Sequence, residues 1–431
     1  LETAATAPSA RWALKSYESS EVTRTLLEKL DDTDASADLK TGVIRSLSEY
    51  AEEEQTDVLI SRLADAEQPV AREIVDALVK ISRRKALTEK QLNQTAEILE
   101  SVINNSYRYL ELLRQFKDDD TSFLVKDQLK TSIERLRTQV LKLSLLPFPE
   151  SPVETFLLTL AGGDPSAKAN VLEILDNLLA RETRERIVPL FDDSSLEEKT
   201  AIGKRVASFD TVQKTDVLVE WAESSDIWTS AVAIDYITVH NLADLVANRK
   251  INWEQVPSSN LIQEVCSIDW YGEESILGGV SKFDKSKFIL EEKPMYSTLE
   301  KTIFMKGVDL FHDISGEEVS HAAQITEEVH LGQDETIFEE GDLGDSMFII
   351  VDGAVRIHKG NKEIAVLSKG KFIGEMALLD QEPRSASVTT TEETVLLKIN
   401  GEDFYDLMAS RMEIMQGIVK VLTHRLREAI A

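Results

Sequence analysis

The sequence predicts an α+β multidomain protein: an N-terminal α-solenoid of paired helices, then a C-terminal jelly-roll β-barrel with flanking helices. Three observations predict it. Apolar residues recur at helical spacing from about 10 to 250. After about 300, short β-like runs punctuated by glycine take over. The chain's 431 residues also exceed one typical domain. Apolar residues make up 42%, enough for real cores, and aromatics only 6%, which favours helical repeats over a β-sandwich throughout.

The helical part is clearest over 57–81. There Val58, Leu59 and Leu63, then Ile74, Val75, Leu78 and Ile81, recur at helical spacing. Residues 65–69 between them read as a turn, with Pro69 suited to the first turn of the second helix. The outline returns at 156–160, Asp164-Pro165 and 171–175. It returns again around Leu218, Trp221, Asp226 and Trp228, followed by Ala231, Ala233, Ile234 and Ile237. Weaker copies sit at 21–50 and 183–209. Helix pairs at a period of ~30–45 residues stack into a solenoid, each burying its apolar face on the next. Trp221 and Trp228 are read as part of that core. Residues 87–146 fit least well and are read as two longer helices, 88–116 and 120–146, split by Asp118-Asp119-Asp120. These pairs resemble HEAT repeats through the aspartate–proline turn and the alanine-rich second helix. The expected domains are therefore a HEAT-like solenoid over 1–250, a mixed and partly helical connector over 251–298, and the barrel domain over 299–431.

Within 299–431, residues 299–311 and 317–325 are short helical patterns. Strands are expected at 336–338, 347–351, 355–357, 364–367, 387–389 and 395–399, with Gly341, Gly344, Gly353, Gly360 and Gly370 as turn residues between them. Helical spacing resumes at 401–409 and 411–429.

Charge and cysteine narrow the functional classes. The net charge is −29; residues 301–431 hold 13 basic against 24 acidic residues, so both parts are acidic. Such a surface repels phosphate backbones and anionic lipid, so no nucleic-acid partner is expected. Cys266 is the single cysteine, which permits no internal disulfide and no cysteine zinc site. The histidines lack paired metal spacing, Asp31-Asp32-Thr33-Asp34 lacks the rest of a calcium loop, and no metal is expected. Neither a phosphate-binding glycine loop with Lys-Ser/Thr nor a nucleophile elbow occurs, so the protein is expected not to be an enzyme and to need no cofactor. No apolar run approaches the ~20 residues of a membrane span. A cytoplasmic location is expected, with no membrane insertion by this chain.

The stretch Ile373–Val388, IGEMALLDQEPRSASV, carries the most chemistry. Gly374-Glu375 stands ahead of Arg384, Pro383 directly precedes that arginine, and Ala377, Ser385, Ala386 and Ser387 leave the backbone accessible. A guanidinium suits an anion, its fork matching phosphate oxygens. A carboxylate suits a hydroxyl, and Gly374 lets backbone approach a ligand closely. Taken alone, Arg384 reads first as a surface salt-bridge partner of Glu375 or Glu382; joined to the Gly-Glu spacing and the earlier glycine run, it reads first as an anion ligand.

Two linked motifs here resemble the cyclic-nucleotide-binding domain family: IFEEGDLGDSMFIIVDG at 337–353 and GEMALLDQEPRSASV at 374–388. The resemblance implies that Glu375 holds the ribose hydroxyl and Arg384 clamps the cyclic phosphate. Gly374, Ala377 and Ser385 would supply backbone amides, and Met376 and Ala386 complete the ligand-binding set. It further implies a final helix folding over the base as a lid, with Met415, Ile418 or Leu422 as base contacts. The implied ligand is cAMP or cGMP, with cAMP favoured, and the implied role is a sensor whose nucleotide reorders the last helix and signals to the helical scaffold. A protein partner, or a membrane-domain partner, is expected on the solenoid. HEAT-like repeats followed by such a sensor are also similar to cytosolic regions of bacterial nucleotide-transporter-like proteins, and a start at Leu1 fits a fragment of one. A third reading is a pure scaffold with a degenerate nucleotide module.

Overall fold

The computed structural model describes all residues except 1–8, 10–12, 15–16, 18, 33–34, 51, 65, 67–69, 163, 210–211, 243, 246–250, 267–294, 377–381, 413, 420–422 and 424–431. The turn expected at 65–69 and most of the expected connector lie outside the described residues. The chain forms two compact units, one of residues 1–119 and 129–214, the other of 120–128 and 215–431. This division falls at 214/215 and not near 250, and it takes a nine-residue piece from the middle of the helical region into the second unit.

The first unit is helical. Its elements are α1 (Ser19–Leu30), α2 (Ala37–Tyr50), α3 (Glu53–Leu63), α4 (Val70–Arg84) and the long α5 (Glu89–Gln115). After these come α6 (Phe123–Ser144), whose residues up to Gln128 belong to the second unit, then α7 (Val153–Ala161), α8 (Pro165–Leu178), α9 (Arg181–Phe191) and α10 (Leu196–Val206). The two long helices read from the sequence are α5 and α6. Their ends follow local chemistry. Thr88 and Gln91 form a reciprocal capping box at the start of α5, as Ser195 and Glu198 do for α10. Asp164 caps α8 through the N–H groups of Ser166 and Ala167, with Pro165 in the first turn. The apolar stripes meet in one core that includes Ile44, Leu47, Ile74, Leu78, Ile103, Tyr107 and Leu190. Tyr107 is fully buried, its hydroxyl donating to Arg186 O at 2.8 Å.

The second unit contains α11 (Lys214–Ala222), α12 (Ile227–Val239), α13 (Asn260–Val265), α14 (Thr298–Lys306) and α15 (Gly316–Gln324). Eight strands follow: β1 (Thr326–Leu331), β2 (Thr336–Phe338), β3 (Ser346–Asp352), β4 (Ala354–Lys359), β5 (Lys362–Ser368), β6 (Phe372–Ile373), β7 (Ser387–Thr390) and β8 (Thr394–Asn400). Helix α16 (Gly401–Ser410) comes next, and residues 412 and 414–419 are again helical. The strands make two antiparallel four-stranded sheets, ordered β1-β8-β3-β6 and β2-β7-β4-β5. Strands β1 and β6 were not read from the sequence. The first has Glu327 and Glu328 in its middle, and the second is two residues long.

Strand β3 is buried on both faces. Met347, Ile349 and Val351, with Leu397 and Ile399 of β8, pack with Met305, Ile314, Val319, Phe404, Ile414 and Ile418 in a helical layer. The alternate residues Phe348 and Ile350 join Leu396, Ile373, Val355 and Val388 between the two sheets. No described helix is long and apolar enough to cross a membrane. Among the described residues no His/Cys/Asp/Glu group is placed to hold a metal.

Candidate functional site

Arg384 is positioned by its own backbone before its side chain is considered. Its N–H donates to Asp342 O and its carbonyl accepts from Gly341 N–H, both at 2.8 Å, joining the segment before β7 to the turn before β3. That turn is fixed in its own right: the Asp342 carboxylate accepts from Glu339 N–H at 2.9 Å, and Ser387 Oγ accepts from Glu340 N–H at 2.9 Å. The arginine therefore enters the domain at a set height between β3 and β6.

Its guanidinium is buried, 6% exposed. Nη1 donates to Gly374 O at 2.9 Å, and Nη2 to Ser346 O at 2.7 Å and Ser346 Oγ at 3.3 Å. The plane lies over the Phe338 ring, Cζ 4.2 Å from its centroid, where a cation meets the negative face of the π-system. Nε is buried without a hydrogen-bond partner. Among the described residues no carboxylate oxygen lies within ion-pair distance of this cation, so the surface salt-bridge reading of Arg384 does not hold. Burial pulls its pKa down, and the negative charges of Asp345, Asp342 and Glu375 oppose that pull. Burying a cation without a carboxylate partner is costly, and an orphaned donor adds about 1–3 kcal/mol. A native fold that keeps such a group calls for an explanation beyond packing.

Two glycines make the space. Gly374 ends β6 at φ +81°, and a Cβ there would stand 2.5 Å from Arg384 Nη1 and 3.0 Å from Ser346 O. At Gly344 a Cβ would run into Arg384 Nε and Cζ. The sequence marks Gly344 as a barrel turn residue, and in the structure its missing side chain is what admits the guanidinium. Ser346, Phe338 and Gly344 are the site residues that sequence reasoning missed. The one signal for them was the glycine-rich run ahead of β3, which pointed to a turn and not to a contact with Arg384.

The other expected positions are distributed around this centre. Glu375 and Met376 start a helical turn directly after Gly374; Glu375 is half-buried and Met376 is 57% exposed. Ser385 is exposed and Ala386 is buried. Ala377 and Leu422 lie outside the described residues. Met415 is 38% exposed, while Ile418 is 2% exposed within the helical layer beside Ile314 and Phe404. In this arrangement the side chain of Ile418 packs within that layer. What the centre offers is one fixed cation with an unused donor, a neighbouring carboxylate at Glu375, and backbone left open by glycine.

Residues 328–411 match the cyclic nucleotide-binding domain family. The match is confined to that stretch, which holds strands β1 to β8 from Glu328 onward and helix α16. The chain is 38% identical over 130 residues to the cyclic AMP receptor protein of Thermus thermophilus, a match covering 29% of this chain and 60% of that protein. Against a cGMP-dependent protein kinase of Eimeria tenella it is 28% identical over 221 residues, covering 50% of this chain and 21% of the kinase. The chain thus spans less than two thirds of the length of these relatives. The crystal structure of the Thermus thermophilus catabolite activator protein aligns at 34% identity and TM-score 0.26, over 28% of this chain and 59% of that one.

Proposed function

We propose that the chain is a non-catalytic cyclic-nucleotide sensor that prefers cAMP to cGMP. The observation that carries this reading is the buried Arg384 guanidinium: unpaired with any described carboxylate, one donor orphaned, and cradled by two glycines. A cyclic phosphate supplies what the group lacks, an anionic acceptor matched to its fork. Glu375 takes a ribose hydroxyl, and the backbone from Gly374 through Ala377 and at Ser385 and Ala386 closes on the ring. The preference for cAMP rests on the more identical of the two relatives described above, whose name contains cyclic AMP. Nucleotide binding reorders the last helix, with Met415, Ile418 or Leu422 as its lid contact. The signal passes to the preceding helices, read as a HEAT-like solenoid that holds a protein or membrane-domain partner in the cytoplasm. The net charge of −29 supports a reading without nucleic acid.

Calorimetry with cAMP and cGMP on the wild-type chain and on Arg384→Ala tests it. Wild type is expected to bind cAMP more tightly than cGMP. Arg384→Ala is expected to lose about 2–5 kcal/mol of binding, the usual cost of truncating one partner of a buried charge pair. Absence of heat for both nucleotides with wild type sinks the sensor reading.

A further inference from the structure

The two helices that open the nucleotide domain are held by acidic side chains from earlier in the chain, all within one compact unit. Asp127, in the first turns of α6, accepts from Gly316 N–H at the start of α15 at 2.8 Å. Its other oxygen lies 3.0 Å from Lys306 Nζ at the end of α14, and the two side chains are 17% and 7% exposed. The same ammonium donates to His312 O at 2.9 Å and Ile314 O at 2.6 Å, both in the turn that joins α14 to α15. Trp228 of α12 lies against the same spot: a Cβ at Gly316 would stand 2.9 Å from its Cζ2 and 2.8 Å from Asp127 Oδ2. Glu264 of α13 holds the other end, accepting from Thr298 N–H at 2.7 Å.

A buried ion pair adds little net stability over an apolar replacement, but removing one partner leaves an uncompensated buried charge, so the pair holds the two helices in one arrangement while both partners are present. Its position relative to Arg384 gives that role content. Ser346, which accepts from Arg384, is followed by Met347, and Met347 shares a core with Ile314. Ile314 in turn holds Lys306 through its carbonyl, and Gly417 of the last helix is packed too closely on the Ile314 side chain to admit a Cβ. A ligand that draws Arg384 away from Ser346 therefore acts on the first residues of β3, which back onto the turn that Lys306 and Asp127 secure.

We propose that Asp127, Lys306 and Gly316 form a latch coupled to nucleotide occupancy at Arg384, closed while Arg384 is bonded to Ser346 and loosened when a cyclic phosphate takes it. This rests on the sensor reading above. Coupling is reciprocal, so a ligand that loosens the latch binds more tightly once the latch is broken.

The experiment uses the full chain and cAMP, with calorimetry for affinity and tryptophan emission as a reporter at Trp228. Asp127→Asn removes the charge. Gly316→Ala, a second and milder variant, wedges the Asp127 and Trp228 contacts apart without removing any polar group. In wild type, saturating cAMP is expected to shift the emission, and Trp228→Phe to abolish the shift. Both latch variants are expected to bind cAMP at least threefold more tightly. Wild type that binds cAMP with silent emission, or latch variants with unchanged or weaker affinity, overturns the latch. Wild type that shows no heat at all overturns the sensor reading beneath it, an outcome distinct from both.

Discussion

At the scale of single residues, the site depends on what is missing around Arg384 as much as on Arg384 itself. Gly374 and Gly370 both hold φ near +81°, but a Cβ at Gly370 meets nothing within 4 Å while one at Gly374 meets the guanidinium. An alanine at either position carries backbone strain of about 1–2 kcal/mol. Gly370→Ala is therefore expected to lower the urea midpoint and leave cAMP affinity unchanged. Gly374→Ala is expected to lower both, with affinity down at least tenfold; equal affinities for the two variants would refute the cradle. Gly374, Glu375 and Arg384 were legible in the sequence because they lie close together along the chain. Ser346 is 38 residues from Arg384 and was not legible, since nothing local marks a serine at the start of a strand as an arginine's acceptor.

At the scale of elements, burial pattern decides what a sequence discloses. The run Met347–Val351 lacks alternation because both faces of β3 are covered, and this continuity made the strand visible. Strand β1 failed for the opposite reason: its exposed and half-buried glutamates resemble a loop. Helix α15 carries His321, which burial, seconded by the Arg411 guanidinium, pushes down to about 4 from 6.5. The folded state resists a proton that the unfolded chain accepts below pH 6.5. Stability is thus full above pH 6.5 and falls progressively as the pH drops towards 4. His321→Gln is expected to flatten that part of the stability curve, measured by urea unfolding across the window; an unchanged slope would exclude His321 as its source.

At the scale of the whole molecule, charge and division of the chain set the behaviour. With a net charge of −29, duplex DNA is expected to give no anisotropy change at physiological salt, with or without cAMP. A saturable change that depends on cAMP would remove the no-nucleic-acid reading. The helical character of the first unit and the barrel of the second were both legible from periodicity. The assignment of 120–128 to the second unit was not, because helix α6 reads as one uninterrupted pattern and only tertiary packing assigns its first turns elsewhere. That assignment bears on how such a protein is inherited. A gene segment encoding everything from Thr215 onward would carry the barrel, Arg384 and Lys306 but leave Asp127 behind. Recombination that moved the nucleotide domain into a new partner would therefore deliver it without its ion-pair partner, leaving the Lys306 ammonium with the His312 and Ile314 carbonyls.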